Sequence, residues 1–156
     1  MTVWNLPEAC VFEGRTVRYG ISGEGPPLIV VHGTPWSSFN LRHLIEPLSQ
    51  DFTVYYYDLL GYGQSDKSPG DVSLGIQNRV LDHLIEHWGL EAPSIIGHDF
   101  GGTTVLRTHL INGRSFDRIP DSLFHVIQDA GHLVIEEQPH LLVEKILPFL
   151  QNESIT

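Results

Sequence analysis

Three short segments carry residues whose types and spacing could do chemistry. The first is Gly97-His98-Asp99-Phe100-Gly101-Gly102. An acidic residue between closely spaced glycines, where a buried strand hands over to a helix, matches the G-x-nucleophile-x-G elbow. The tight turn lifts one side chain above the sheet. Gly97 and Gly101 are needed because strand and helix backbones approach closely there. The central residue is Asp99, and no G-x-S-x-G occurs anywhere in the chain. The plainer alternative is a Gly-rich turn in which Asp99 only caps the helix. The second segment, His32-Gly33-Thr34-Pro35, follows a buried apolar run. A loop there can offer one backbone N–H, and the residue after the nucleophile a second. The main chain of Thr34 and Phe100 is therefore a candidate oxyanion hole, while His32 reads as a satisfied structural histidine. The third segment is Gln128-Asp129-Ala130-Gly131-His132. His132 is the candidate general base; the alternative is one more surface histidine among nine.

These segments need elements to position them. Residues 9–13 and 16–22 read as a hairpin around Glu13-Gly14-Arg15. Leu28-Ile29-Val30-Val31 is a continuous β-branched run suited to a strand buried on both faces. A short helix is expected over 40–50 and a strand over 53–57, closing at Asp58 before the Gly-rich stretch 61–65. Over 74–88, Val80, Leu81, Leu84, Ile85 and Trp88 fall on one helical face, with Gly89 as the C-terminal cap. Strand 93–97 leads into helix 101–112, and 123–127 reads as the last strand. Pro139 opens a final helix, with Glu136 and Glu137 ahead of it where the helix dipole favours negative charge; Pro148 is expected to disturb its last turns. Alternating strands and helices imply an α/β fold: a mostly parallel sheet with helices on both faces, and an N-terminal antiparallel hairpin. The three chemical segments each follow a strand's C-terminal end, where open α/β sheets build their sites.

Composition narrows the partners. The chain has 156 residues, one domain's worth, with 41% hydrophobic residues. It carries 19 acidic against 9 basic residues, a formal charge of −10. That balance argues against nucleic acid and against an anionic membrane surface. The single cysteine, Cys10, cannot form an internal disulfide, which points to a reducing, cytoplasmic setting. No basic-then-apolar leader is read at the start, and no apolar run approaches the ~20 residues that span a bilayer. Gly61-Tyr62-Gly63 does not complete a dinucleotide-binding G-x-G-x-x-G. His83 and His87 sit four apart, as metal ligands can, but no third ligand is near in sequence, and a solvated helix face is expected. Tyr55-Tyr56-Tyr57 reads as strand.

Taken together, His32-Gly33-Thr34-Pro35, Asp58-Leu59-Leu60-Gly61-Tyr62-Gly63-Gln64-Ser65-Asp66, Gly97-His98-Asp99-Phe100-Gly101-Gly102 and Ala130-Gly131-His132 resemble the aspartate-nucleophile branch of the α/β hydrolases, the haloalkane dehalogenases and epoxide hydrolases. Residues 10–112 resemble the N-terminal half of that core and 113–150 its C-terminal end. The resemblance implies a single truncated core over 1–156, with 1–112 carrying the elbow and 113–156 the last strand, the His132 loop and the last helix. The cap domain and the strand that bears the triad acid have no counterpart. Thr34 and Phe100 stand where dehalogenases place Asn and Trp around the halide. The implied chemistry is a hydrolase. Asp99, a carboxylate ionised at neutral pH without help from a base, attacks a small epoxide, alkyl halide or ester-like substrate and forms an alkyl ester, which His132 then hydrolyses through activated water. Trp36 and His98 are the substrate-pocket candidates. No metal or organic cofactor is implied. Uncovered apolar surface around Trp36, Phe39 and Phe100 should promote self-association. The alternative reading is a catalytically silent relative acting as an interaction module.

Overall fold

A computed structural model describes residues 4–116, 127 and 129–151. Its strands are β1 (Glu8–Phe12), β2 (Arg15–Ser22), β3 (Pro27–Val31), β4 (Thr53–Tyr57) and β5 (Ser94–Gly97). They form one sheet in the order β1-β2-β4-β3-β5. The hairpin β1–β2 adds antiparallel to β4 through β2, while β3 pairs parallel with both β4 and β5. The sheet is therefore mixed, and its parallel part is the part under the three chemical segments. The expected strand over 123–127 lies outside the described residues apart from Ile127.

Period-two alternation along the parallel strands feeds two cores. Ile29, Val31 and Tyr57 point to one face, under α2 (Leu74–His87) and α3 (Phe100–Asn112). Leu28, Val30, Val54 and Tyr56 point to the other, under α1 (Arg42–Leu48), α4 (Val134–Glu137) and α5 (Pro139–Leu150). Because both faces are covered, β3 is buried from Leu28 to Val31, as its unbroken apolar run requires.

Two expectations need correction. Pro148 lies inside α5, which continues to Leu150. So near the end, the missing N–H removes one backbone bond, and Gln151 N–H restores the pattern by donating to the Leu147 carbonyl at 2.9 Å. Glu136 and Glu137 do not merely precede the last helix. They form their own short helix α4, and each binds a specific partner. His83 and His87 pack on the N-terminal hairpin: the His83 ring lies 5.5 Å from that of Phe12, and His87 Nε2 hydrogen-bonds the Tyr19 hydroxyl at 3.2 Å. Among the described residues no group of three potential ligands is placed to hold a metal ion. No described helix is long and apolar enough to cross a membrane.

Candidate active site

The elbow is built by close backbone contact. At the end of β5, His98 N–H donates to the Val31 carbonyl at 3.0 Å, and Gly101 N–H donates back to the His98 carbonyl at 2.9 Å. Asp99 sits at the apex with φ 54° and ψ −121°, a region that non-glycine residues rarely occupy. Such strain persists only where the surroundings enforce it. They do so through glycine. A Cβ on Gly101 would lie 2.4 Å from the Val31 carbonyl oxygen, and one on Gly97 would lie 2.7 Å from Gly102 Cα. The two glycines singled out by their spacing are thus the positions where only hydrogen fits.

The carboxylate of Asp99 has two differently occupied oxygens. Oδ1 accepts from the Phe100 N–H at 2.5 Å. Asp99 therefore does cap α3, as the plainer sequence alternative held, and it also projects its other oxygen outward. Oδ2 lies 3.4 Å from His132 Nε2. The loop 32–35 abuts the same residue: a Cβ on Gly33 would lie 2.8 Å from Asp99 Cβ. Thr34 follows in that loop, joined to Pro35 by a cis peptide. The structure thus gathers Asp99, Phe100, His132 and the Thr34 loop at the C-terminal ends of β3 and β5. The site is open: the His132 side chain is 71% exposed and that of Asp99 27%. Trp36 is 41% exposed and Phe39 45%.

His98, a substrate-pocket candidate, lies beside the third segment. Its Nε2 is engaged with the main-chain carbonyl of His132 at 3.1 Å. His32 is structural: Leu59 N–H donates to its Nε2 at 2.9 Å, so its Nδ1 carries the proton and donates to the Gly33 carbonyl at 2.7 Å. Burial depresses its pKa, against smaller opposing contributions from that hydrogen bond and from Asp58.

Three carboxylates support the site from behind, and their roles were not read from the sequence. Buried Asp58 accepts from Ser38 N–H at 2.7 Å and Gln64 N–H at 2.6 Å, tying two loops above the sheet together. Its position at the end of β4, before a Gly-rich stretch, was the available signal. Glu136 forms a two-pronged pair with Arg42, at 2.7 and 2.9 Å, and fastens α4 to α1. Glu137 Oε2 accepts from Gly131 N–H at 2.8 Å. Of the acids that could orient His132, Asp117 and Asp121 lie outside the described residues, and Asp129, on the same loop as His132, adopts φ 55°. The carboxylates of Glu136 and Glu137 are held by Arg42 and Gly131.

The comparisons bear on the fold that carries this site. Residues 26–112, more than half the chain, match the family described as alpha/beta hydrolase fold. A soluble epoxide hydrolase of Corynebacterium sp. (strain C12) is 33% identical over 93 residues, covering 60% of this chain and 32% of the relative. Haloalkane dehalogenase 2 of Mycobacterium tuberculosis is 32% identical over 104 residues, covering 62% of this chain and 36% of the relative. The crystal structure of an alpha/beta hydrolase fold protein from Burkholderia ambifaria superposes with a TM-score of 0.71 at 45% identity, over 72% of this chain and 42% of that one. This chain thus spans only about a third of the length of the two curated relatives. The sheet order, the elbow after β5 and the match over residues 26–112 lead to one conclusion: the chain belongs to the alpha/beta hydrolase fold family.

Proposed function

We propose that the chain is an internally shortened hydrolase core that uses Asp99 as a nucleophile on a small organic electrophile, with a covalent alkyl-ester intermediate. The observation that carries this is the division of labour on one carboxylate: Oδ1 rests on the Phe100 N–H, and Oδ2 faces His132 Nε2 at 3.4 Å. Oδ2 attacks an sp3 carbon, forming a C–O bond as the bond to the leaving group breaks and its electron pair departs. Asp99 is left as an ester whose carbonyl oxygen is Oδ1, already on a hydrogen-bond donor. His132 Nε2 then takes a proton from water as the water oxygen adds to Asp99 Cγ. Charge collects on Oδ1, where Phe100 N–H and the Thr34 main chain stabilise it. Collapse breaks the Cγ–Oδ2 bond, the alcohol leaves with the proton held by His132, and the Asp99 carboxyl, now carrying one oxygen and the second proton from water, releases that proton to solvent and is a carboxylate again. No step calls for a metal or organic cofactor, nucleic acid or a membrane.

Substrates of the epoxide, alkyl halide or ester-like type are proposed from the named relatives, an epoxide hydrolase and a dehalogenase. Exposure of a small alkyl halide or epoxide to the protein, read by intact-mass spectrometry, tests the proposal. An adduct on Asp99 that is absent in Asp99→Asn supports it. The absence of both adduct and product overturns it.

The openness of the site favours a second reading. With His132 71% exposed, water screens the electrostatics that drive hydrolysis. A catalytically silent relative, associating through apolar surface such as Leu106, Leu110 and Ile111 on α3, would show no adduct.

A further inference from the structure

His132 carries a general-base assignment but has little to aim it. Its ring is largely exposed, and its recorded neighbours are Asp99 Oδ2 at 3.4 Å and the His98 ring, whose centroid lies 5.4 Å away. Among the described residues, the fixed partners lie on the main chain that carries the ring, and that main chain sets the point from which the ring reaches Asp99. That main chain is gripped on both sides of the residue. Ahead of it, Gly131 N–H donates to Glu137 Oε2 at 2.8 Å. Behind it, the His132 carbonyl meets His98 Nε2 at 3.1 Å. A carbonyl only accepts, so His98 must hold its proton on Nε2.

We propose that His98 and Glu137 are positioning residues that hold the peptide unit before Gly131 and the one after His132, and so aim the His132 ring at Asp99. The proposal rests on the role assigned to His132 above. Both jaws are themselves anchored. The His98 backbone is bonded to β3 through the Val31 carbonyl, and its ring packs on Gly33, where a Cβ would lie 3.2 Å from Nδ1. Glu137 stands on α4, which Glu136 fastens to Arg42. Gly131 leaves little slack: a Cβ there would lie 3.3 Å from Glu137 Oε1. Neither jaw touches the reacting carbon or the attacking water. Their effect reaches the chemistry only through the angle of the His132 ring.

The clamp predicts a step-specific defect. Attack by Asp99 on the electrophile does not involve His132, whereas ester hydrolysis does. His98→Phe keeps a ring of similar size without the donor, and His98→Gln restores an N–H donor of comparable reach. Glu137→Leu removes the acceptor, and Glu137→Gln keeps one. Two measurements are made on the full chain. Amide hydrogen exchange without substrate should speed up at Gly131, His132 and Leu133 in His98→Phe and Glu137→Leu, with β3 and α2 amides unchanged, and should recover in the Gln variants. On exposure to an alkyl halide, Asp99 ester formation should proceed at the wild-type rate in Glu137→Leu. Ester hydrolysis should slow by about tenfold to a hundredfold in His98→Phe and Glu137→Leu, the scale expected from a misplacement near ~1 Å. If wild type forms no ester, the nucleophile reading fails while the exchange data still judge the clamp. Unchanged exchange at residues 131–133, hydrolysis that does not slow once an ester forms, or no recovery in either Gln variant would overturn the clamp.

Discussion

Substitution of Gly101 by alanine sets two physical effects against each other with opposite signs. Gly101 lies in the first turn of α3, where alanine is the better helix former by about 1 kcal/mol. Propensity alone therefore predicts stabilisation. The added methyl, however, would sit 2.4 Å from the Val31 carbonyl oxygen, 2.6 Å from the His32 carbonyl oxygen and 2.8 Å from the Val31 carbonyl carbon. All three atoms belong to the backbone at the end of β3, which is held in ladders by β4 and β5 and cannot rotate aside as a side chain would. Overpacking of this kind costs about 1–3 kcal/mol, and contact with fixed backbone places it at the upper end. The net effect is a loss of about 2 kcal/mol, or roughly 4–8 °C in Tm for a chain of this size. Gly113→Ala is the control. There φ is +70° and nothing lies within 4 Å of the new methyl, so only backbone strain of about 1 kcal/mol applies. Urea and thermal melts of both variants, monitored by circular dichroism, decide the matter. A Gly101→Ala protein as stable as wild type, or more so, would refute the claim that β3 and α3 are locked backbone to backbone beneath Asp99.

Other expectations follow from the same structure. Alkylation of Asp99 should outpace its release, because His132 is largely exposed and, among the described residues, no carboxylate other than that of Asp99 lies within 4 Å of its ring nitrogens. In serine-nucleophile enzymes, disabling the orienting acid costs about 10⁴-fold. Time-resolved intact mass should therefore show the ester accumulating, whereas rapid multiple turnover would show that His132 is properly supported. Arg42→Met should destabilise by no more than about 1 kcal/mol, since the pair is partly solvated, and the loss should shrink at high salt in denaturant melts. His32 is buried and its pKa is lowered from 6.5 chiefly by desolvation. The unfolded chain therefore binds the proton more readily. The stability contributed by neutral His32 is present above about pH 6.5 and is lost as pH falls below that value. His32→Asn should lower stability at pH 8 and flatten the slope between pH 5 and 7. Leu110→Glu, at an exposed apolar position on α3, should reduce any self-association seen by sedimentation; an unchanged sedimentation profile would place the contact elsewhere.

Much of the fold was legible because its signals are local. Strand 53–57 coincides with β4, and the unbroken run 28–31 lies within β3, buried on both faces. Gly89 adopts φ 68° at the end of α2, as its capping role requires. The elbow was equally legible, since its constraint lies within six consecutive residues. What the sequence did not disclose are the partners chosen across long separations. Glu136 was assigned to a helix dipole because charge near a helix start is a local cue. Its guanidinium partner lies 94 residues earlier and leaves no periodic trace. The ring of His98, a pocket candidate, bonds a carbonyl 34 residues away, a partner that its sequence neighbours do not announce. The antiparallel share of the sheet depends on β2 pairing with β4, and no residue in either strand specifies that partner on its own.

The same distinction between local and distant determinants bears on whether this chain turns substrate over. In the mechanism proposed above, everything needed for attack is contributed by residues 32–35 and 97–102: the strained Asp99, the Phe100 N–H on Oδ1 and the glycines that allow the approach. That part survives as long as β3, β5 and α3 pack together. Hydrolysis of the ester depends instead on a loop near residue 132, joined to the elbow, among the described residues, through His98 and the Asp99–His132 contact, and steadied by α4 and its Arg42 pair. A fold that preserves the first set while holding the second by a few half-exposed bonds can lose turnover without losing reactivity. Stability measurements alone would miss that loss. The ratio of the ester-forming rate to the ester-releasing rate on Asp99 is therefore the quantity that separates a working hydrolase from one that stops at the intermediate.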